Sequence, residues 1–147
     1  MHKTLRVQLL PGGIPPKRQT VGAAAYDLFT PTPLALQPGL HTISLKIKIQ
    51  LPENSFGNIR CRSSHAKNGV SVEAGIIDED YRGELKVLLR IRQPLVTEKG
   101  RAIAQMIVQP YMKPDVVVVD SLGYSDRGGG SFGSTDAAMK MFHQYKD

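Results

Sequence analysis

Residues 40–51 read LHTISLKIKIQL, with Ile43, Leu45, Ile47 and Ile49 alternating against Ser44, Lys46, Lys48 and Gln50. A period of two puts the two sets on opposite faces, so the segment predicts a strand with one buried face. Leu85, Val87, Leu89 and Ile91 repeat the pattern in ELKVLLRIRQ, and AIAQMIVQ and DVVVVDSL are two further strand candidates. Between them lie LPGGIPP, TPTPLALQPG, LPENSFGN, TEKG and YMKPD, each punctuated by Pro or Gly in the manner of turns. Many short strands with such turns predict an all-β fold of the sandwich, barrel or jelly-roll kind. Helical signal is confined to a short terminal segment, residues 136–145.

Length and composition narrow this picture. A chain of 147 residues, 41% apolar and 22% charged, fits one globular domain with a real core. Residues 1–13 are cut by Pro11 and two glycines, far short of a signal h-region. The apolar run 116–119 is too short to cross a bilayer, so no membrane partner is expected. One cysteine, Cys61, permits no internal disulfide and suits a reducing compartment, cytoplasmic or nuclear; its expected role is that of a small buried hydrophobe. The net charge of +6 favours anionic partners. The cations are scattered, as in KIK, RCR and RIR, without a dense block or interleaved aromatics. Small phosphates therefore fit better than a nucleic-acid groove.

Two stretches carry candidate chemistry. In GIIDEDYRGEL, Asp78, Glu79 and Asp80 stand side by side, although adjacent carboxylates repel and are poor strand formers. They either cap an exposed turn or are held there to react. Residues 125–136, SDRGGGSFGSTD, read either as a loose linker or as a loop wrapping a ligand. In the second case the glycines let backbone N–H groups approach phosphate oxygens, Arg127 supplies a fork and Phe132 a flat apolar face.

Taken in order, AAYDLFT, RSS, GIIDEDYRG, AIAQM and DRGGGSFGSTD resemble the five motifs of the trimeric dUTPases. The resemblance runs from about Pro15 to Thr135, and the third motif is its most specific part. It implies a β jelly roll, a homotrimer, and hydrolysis of dUTP to dUMP and pyrophosphate with Mg²⁺. It also implies a core over residues 1–124 and an arm and tail over 125–147 that close over a neighbouring subunit's site.

Residue by residue, the resemblance makes Asp78 the general base that orients and deprotonates the water attacking the α-phosphate. Tyr81 lies under the deoxyribose and leaves no room for a 2′-OH. Gly75 and the following backbone, including Ile77, bond the uracil edge in a tight hairpin turn. Arg62, Ser63 and Ser64 of RSS, with Gln105, meet the phosphates and sugar. Asp27 supports Mg²⁺ through its bound waters. On the arm, Arg127 meets the γ-phosphate and Phe132 stacks on uracil, flanked by Gly133 and Ser134. Glu79 is expected to be solvated and Asp80 to pair with a nearby Arg.

The chain departs from the family pattern in places. Ala25, Ser131 and Asp136 stand where glycines are usual, and His65, expected at the surface, where an apolar residue is usual. Ala102 replaces an Arg, with Arg101 one place earlier. On a strand that offset reverses the face unless a bulge intervenes. Two other readings use the same fold: a catalytically weakened trimeric binding module, and a deoxycytidine triphosphate deaminase. The first has no need of Asp78, Tyr81, Arg127 and Phe132; the second requires a deaminating Glu in the hairpin and no Tyr after DED.

Overall fold

Residues 3–130 of the chain are described, in a computed structural model. The strands are β1 (Arg6–Leu9), β2 (Tyr26–Phe29), β3 (Leu34–Leu36), β4 (Gly39–Gln50) and β5 (Ser55–Arg60), followed by the helix α1 (Ser63–Lys67). Then come β6 (Val70–Glu73), β7 (Ile76–Ile77), β8 (Glu84–Ile91), β9 (Leu95–Thr97) and β10 (Ala102–Pro110). They form two four-stranded sheets, β1-β4-β8-β6 and β2-β10-β5-β7, and a small β3-β9 pair. Every pairing is antiparallel. The jelly-roll-like all-β fold expected from the sequence is the one found.

The alternating segments behave as their periodicity demands. Ile43, Leu45, Ile47 and Ile49 of β4 and Leu85, Val87, Leu89 and Ile91 of β8 are buried. They join Leu28, Ile59, Ile103, Ala104 and Met106 of the other sheet in one core cluster. Each large aliphatic buried here contributes roughly 1.5–3 kcal/mol relative to leaving it in water. Two irregularities interrupt the ladders: one in β4 between Ser44 and Lys48, where Lys46 takes φ 56°, and one in β10 between Ala102 and Ala104. The second buries two consecutive residues, Ile103 and Ala104, which regular pleating cannot do.

The chain divides into two compact units, Met1–Lys113 and Pro114–Asp147. All strands among the described residues lie in the first. Residues 115–122, expected as a strand, form none, and Val116, Val117, Val118, Val119 and Leu122 are exposed. β-branched residues favour a strand only where a ladder and a packed face are available. The expected helix at residues 136–145 lies outside the described residues.

Candidate active site

β2, β5 and β10 lie side by side, and their register brings three sequence-distant polar residues together. Gln105 on β10 pairs with Asp27 on one side and Arg60 on the other. Where β5 ends, the chain turns at Cys61 and Arg62 into α1, whose first residues are Ser63 and Ser64. A pocket of about 480 Å³ opens there, lined by Asp27, Arg62, Ser63, Ser64, Gln105 and Gln19, among others. Asp27 is 5% exposed. It meets Arg62, whose Nε lies 3.7 Å from Oδ1, and the amide of Gln19, whose Nε2 donates to Oδ2 at 2.5 Å. Gln105 Nε2 donates to the Cys61 carbonyl at 3.1 Å, and Arg62 Nη1 to that of Ala102 at 3.4 Å. A buried carboxylate, a guanidinium and two exposed hydroxyls thus share one wall.

Cys61 is half-buried, and its thiol donates to the Val70 carbonyl at 3.0 Å. Burial pushes that thiol above its ordinary pKa, so it stays protonated and packs rather than reacts. His65, expected at the surface, is instead half-buried on α1, and its Nδ1 is fully buried without a partner. Burial first, and the Arg62 charge second, hold His65 below its ordinary pKa against contact with the Ile103 backbone. It is therefore neutral at pH 7. Arg101 does not replace the missing Arg at Ala102. The bulge falls after it, and its side chain is 70% exposed beside Glu98 at 3.9 Å.

The carboxylate turn between β7 and β8 is built by its backbone. The Gly75 carbonyl accepts from Ile59 N at 2.7 Å, and a Cβ on Gly75 would overlap the Ile59 carbonyl oxygen. Ile77 pairs with Gly57 and packs on the core edge. Tyr81 N donates to the Asp78 carbonyl at 3.1 Å, closing the turn and leaving the Asp78 side chain exposed. Tyr81 Oη donates to the Glu84 carbonyl at 2.7 Å. Its ring folds back over Gly83, where a Cβ would sit 2.5 Å from the hydroxyl.

The two flanking carboxylates exchange their expected parts. Glu79 accepts from Asn54 N and pairs with Lys113 at 3.2 Å. The Lys113 hydrogen bond first, and that of Asn54 second, hold it below the usual carboxylate range. Asp80 is exposed and, among the described residues, in no ion pair. The nearby Arg82 instead donates to the Glu79 and Tyr81 carbonyls.

The turn and the pocket remain separate. Among the described residues, Gly75, Ile77, Asp78 and Tyr81 do not line the pocket that holds Asp27, Arg62, Ser63, Ser64 and Gln105. Arg127 belongs to the second unit, in a turn where Gly130 N donates to its carbonyl at 3.2 Å and Gly128 takes φ 59°. Phe132, Gly133, Ser134, Ser131 and Asp136 lie outside the described residues. Gln19 was not foreseen, since nothing in the sequence marks a glutamine eight residues before Asp27 as its partner.

Comparison with known proteins supplies the family. The sequence model of the dUTPase family matches residues 13–136. The chain belongs to the dUTPase family. It is 40% identical to the deoxyuridine 5′-triphosphate nucleotidohydrolase of Paramecium bursaria Chlorella virus 1, covering 92% of this chain and 99% of that one. The enzyme of the same name from Saccharomyces cerevisiae is 36% identical over 90% of this chain and 95% of its own. In structure the chain resembles the Staphylococcus bacteriophage 80alpha dUTPase with dUpNHpp. That match has a TM-score of 0.80 and 26% identity, over 89% of this chain and 97% of the other.

The motif resemblance implies Mg²⁺, and the donors present can be weighed against that ion. Among the described residues no group of three or more His, Cys, Asp or Glu could enclose an ion. The pocket offers a single buried carboxylate, Asp27. That suits an ion which keeps several waters and takes its other oxygens from phosphates, and does not suit a dedicated protein cage.

Proposed function

We propose that the chain hydrolyses dUTP to dUMP and pyrophosphate as a homotrimer, with Mg²⁺, by attack of a base-activated water on the α-phosphate. The observation that supports this best is the division of the site. One wall holds groups suited to phosphates, and a backbone-locked turn displays a free carboxylate and a tyrosine elsewhere on the first unit. A site shared between subunits brings such halves together.

In this reading Arg62 turns from Asp27 to the triphosphate as a charge-assisted fork, and Ser63 and Ser64 donate their hydroxyls to phosphate oxygens. Gln105 holds the sugar end. When bound, Mg²⁺ would neutralise phosphate charge and favour departure of pyrophosphate; Asp27 is the carboxylate that would meet its waters. Gly75 and Ile77 present backbone groups to the uracil edge, and Tyr81 closes the space a 2′-OH would need. Asp78 accepts a proton from water as its oxygen bonds to the α-phosphorus; the bond to the bridging oxygen breaks, and pyrophosphate leaves. A positioned base contributes about 10²–10⁴-fold. Arg127, Phe132, Gly133 and Ser134 close the site from a neighbouring subunit, Arg127 on the γ-phosphate and Phe132 on the base, excluding all but the attacking water.

Pyrophosphate release from dUTP, with dCTP, dTTP and UTP as controls, tests the reading. Turnover of dUTP alone is expected; equal release from UTP would contradict the role given to Tyr81, and no release from dUTP would overturn the activity.

A further inference from the structure

The loop before β2 carries Gln19, eight residues ahead of Asp27. Its base is fixed by a backbone bridge in which Asp27 N donates to Lys17 O at 2.8 Å and Lys17 N to Asp27 O at 3.3 Å. Its other end is fastened by Arg18, which donates to Val21 O at 2.8 Å and lies 5.6 Å from the Tyr26 ring centroid. Gln19 is thereby held at the mouth of the pocket, with Nε2 2.5 Å from Asp27 Oδ2.

The chemistry of this pair differs from that of Asp27 with Arg62. An amide orients a carboxylate without cancelling its charge, whereas a cation would oppose any interaction with a metal's waters. Arg62 Nε stands 3.7 Å from Oδ1, beyond hydrogen-bond reach, and is the group expected to turn toward phosphate. Once it does so, Gln19 is the remaining side chain, among the described residues, bonded to Asp27. We infer that Gln19 is a positioning residue for Asp27, holding Oδ2 so that Oδ1 and the full negative charge face the hydrated cation of the bound nucleotide. This rests on the dUTPase reading above, and it adds a residue to that site.

Three experiments test it. Gln19→Leu keeps side-chain bulk and loses the donor. Calorimetric binding of the α,β-imido analogue of dUTP should weaken about tenfold with Mg²⁺, the value of one charge-assisted hydrogen bond, and stay unchanged without it. Gln19→Glu sets a second carboxyl against Asp27, and two such groups share a proton. The variant's dUTP turnover relative to wild type should be low at about pH 8 and recover toward pH 5.5, where the protonated carboxyl donates as the amide did. A purely structural glutamine would give a flat ratio. A thermal-stability cycle of Gln19→Leu, Asp27→Asn and the double variant, in ligand-free protein, should show coupling. Additive losses in that cycle, equal weakening with and without Mg²⁺, or a pH-independent ratio would each overturn the inference. Wild-type protein that fails to bind the analogue would instead overturn the dUTPase reading, with the ligand-free cycle still deciding whether Gln19 holds Asp27.

Discussion

The pocket wall and the carboxylate turn solve the same problem in opposite ways. On the wall, side chains are fixed by one another: Asp27 is buried between Gln19 and Arg62, and Gln105 is tied to the Cys61 carbonyl. In the turn, the backbone is fixed and the side chain of Asp78, the proposed base, is left free. Gly75 lies against Ile59, Gly83 lies under the Tyr81 ring, and Asp78 is exposed. A group that must bind phosphate charge gains from a rigid polar network. A base that must meet a water on an incoming substrate gains from a rigid mount with a free carboxylate.

The largest effect should come from the free carboxylate. Asp78→Asn keeps shape and hydrogen bonding but cannot take the proton, so dUTP turnover should fall by about 10²–10⁴-fold, while calorimetric affinity for the imido analogue stays near wild type. Retained turnover would remove Asp78 as the base. Next comes truncation before Arg127. It deletes the expected fork and stacking ring together, and base–aromatic stacking alone is worth roughly 1–3 kcal/mol. Turnover should drop several tenfold or more, with a smaller loss of dUMP affinity because dUMP lacks the γ-phosphate. Unchanged turnover would make the segment a linker.

A smaller effect is expected where the mount, not the chemistry, is disturbed. Gly75→Val places side-chain atoms on the Ile59 carbonyl, and overpacking of this kind costs typically 1–3 kcal/mol. Urea unfolding should show that loss, with weaker dUMP binding and unaltered pH dependence of turnover. Glu79→Gln should matter least. Because Lys113 and Asn54 hold Glu79 below the usual carboxylate range, its ionised form is the one favoured by folding. Its stabilisation is full above that range and fades as pH falls through the lowered value. The melting-temperature gap between wild type and variant should therefore be present at neutral pH and shrink as pH falls below the usual carboxylate range; a gap that widens in acid would contradict the assignment.

The sequence made the sheets legible because β4 and β8 alternate strictly and each buries one face. It left α1 unread, since five residues without a side-chain cap carry no helical period. The run of valines at residues 116–119 misled because propensity alone does not supply a ladder. Asp27, Arg62, Ser63, Ser64 and Gln105 were recognisable as motif residues, but their meeting depends on the pairing of β10 with β2 and β5, which no local pattern encodes. Glu79 and Asp80 exchanged their expected parts because Glu79 finds Lys113, 34 positions away. Gln19 escaped notice because its partner is set by the bridge between Lys17 and Asp27.

The central claim is that the wall of one chain serves the turn of another. Chains carrying Asp78→Asn and chains carrying Arg62→Gln, each expected to be nearly inactive as a homotrimer, can be co-expressed with different tags and purified as mixed trimers. If wall and turn come from different subunits, each mixed trimer has one of its three sites with both halves intact, about a third, and dUTP turnover should return to roughly that share of wild type. Turnover no greater than the sum of the two parent proteins would contradict the shared site.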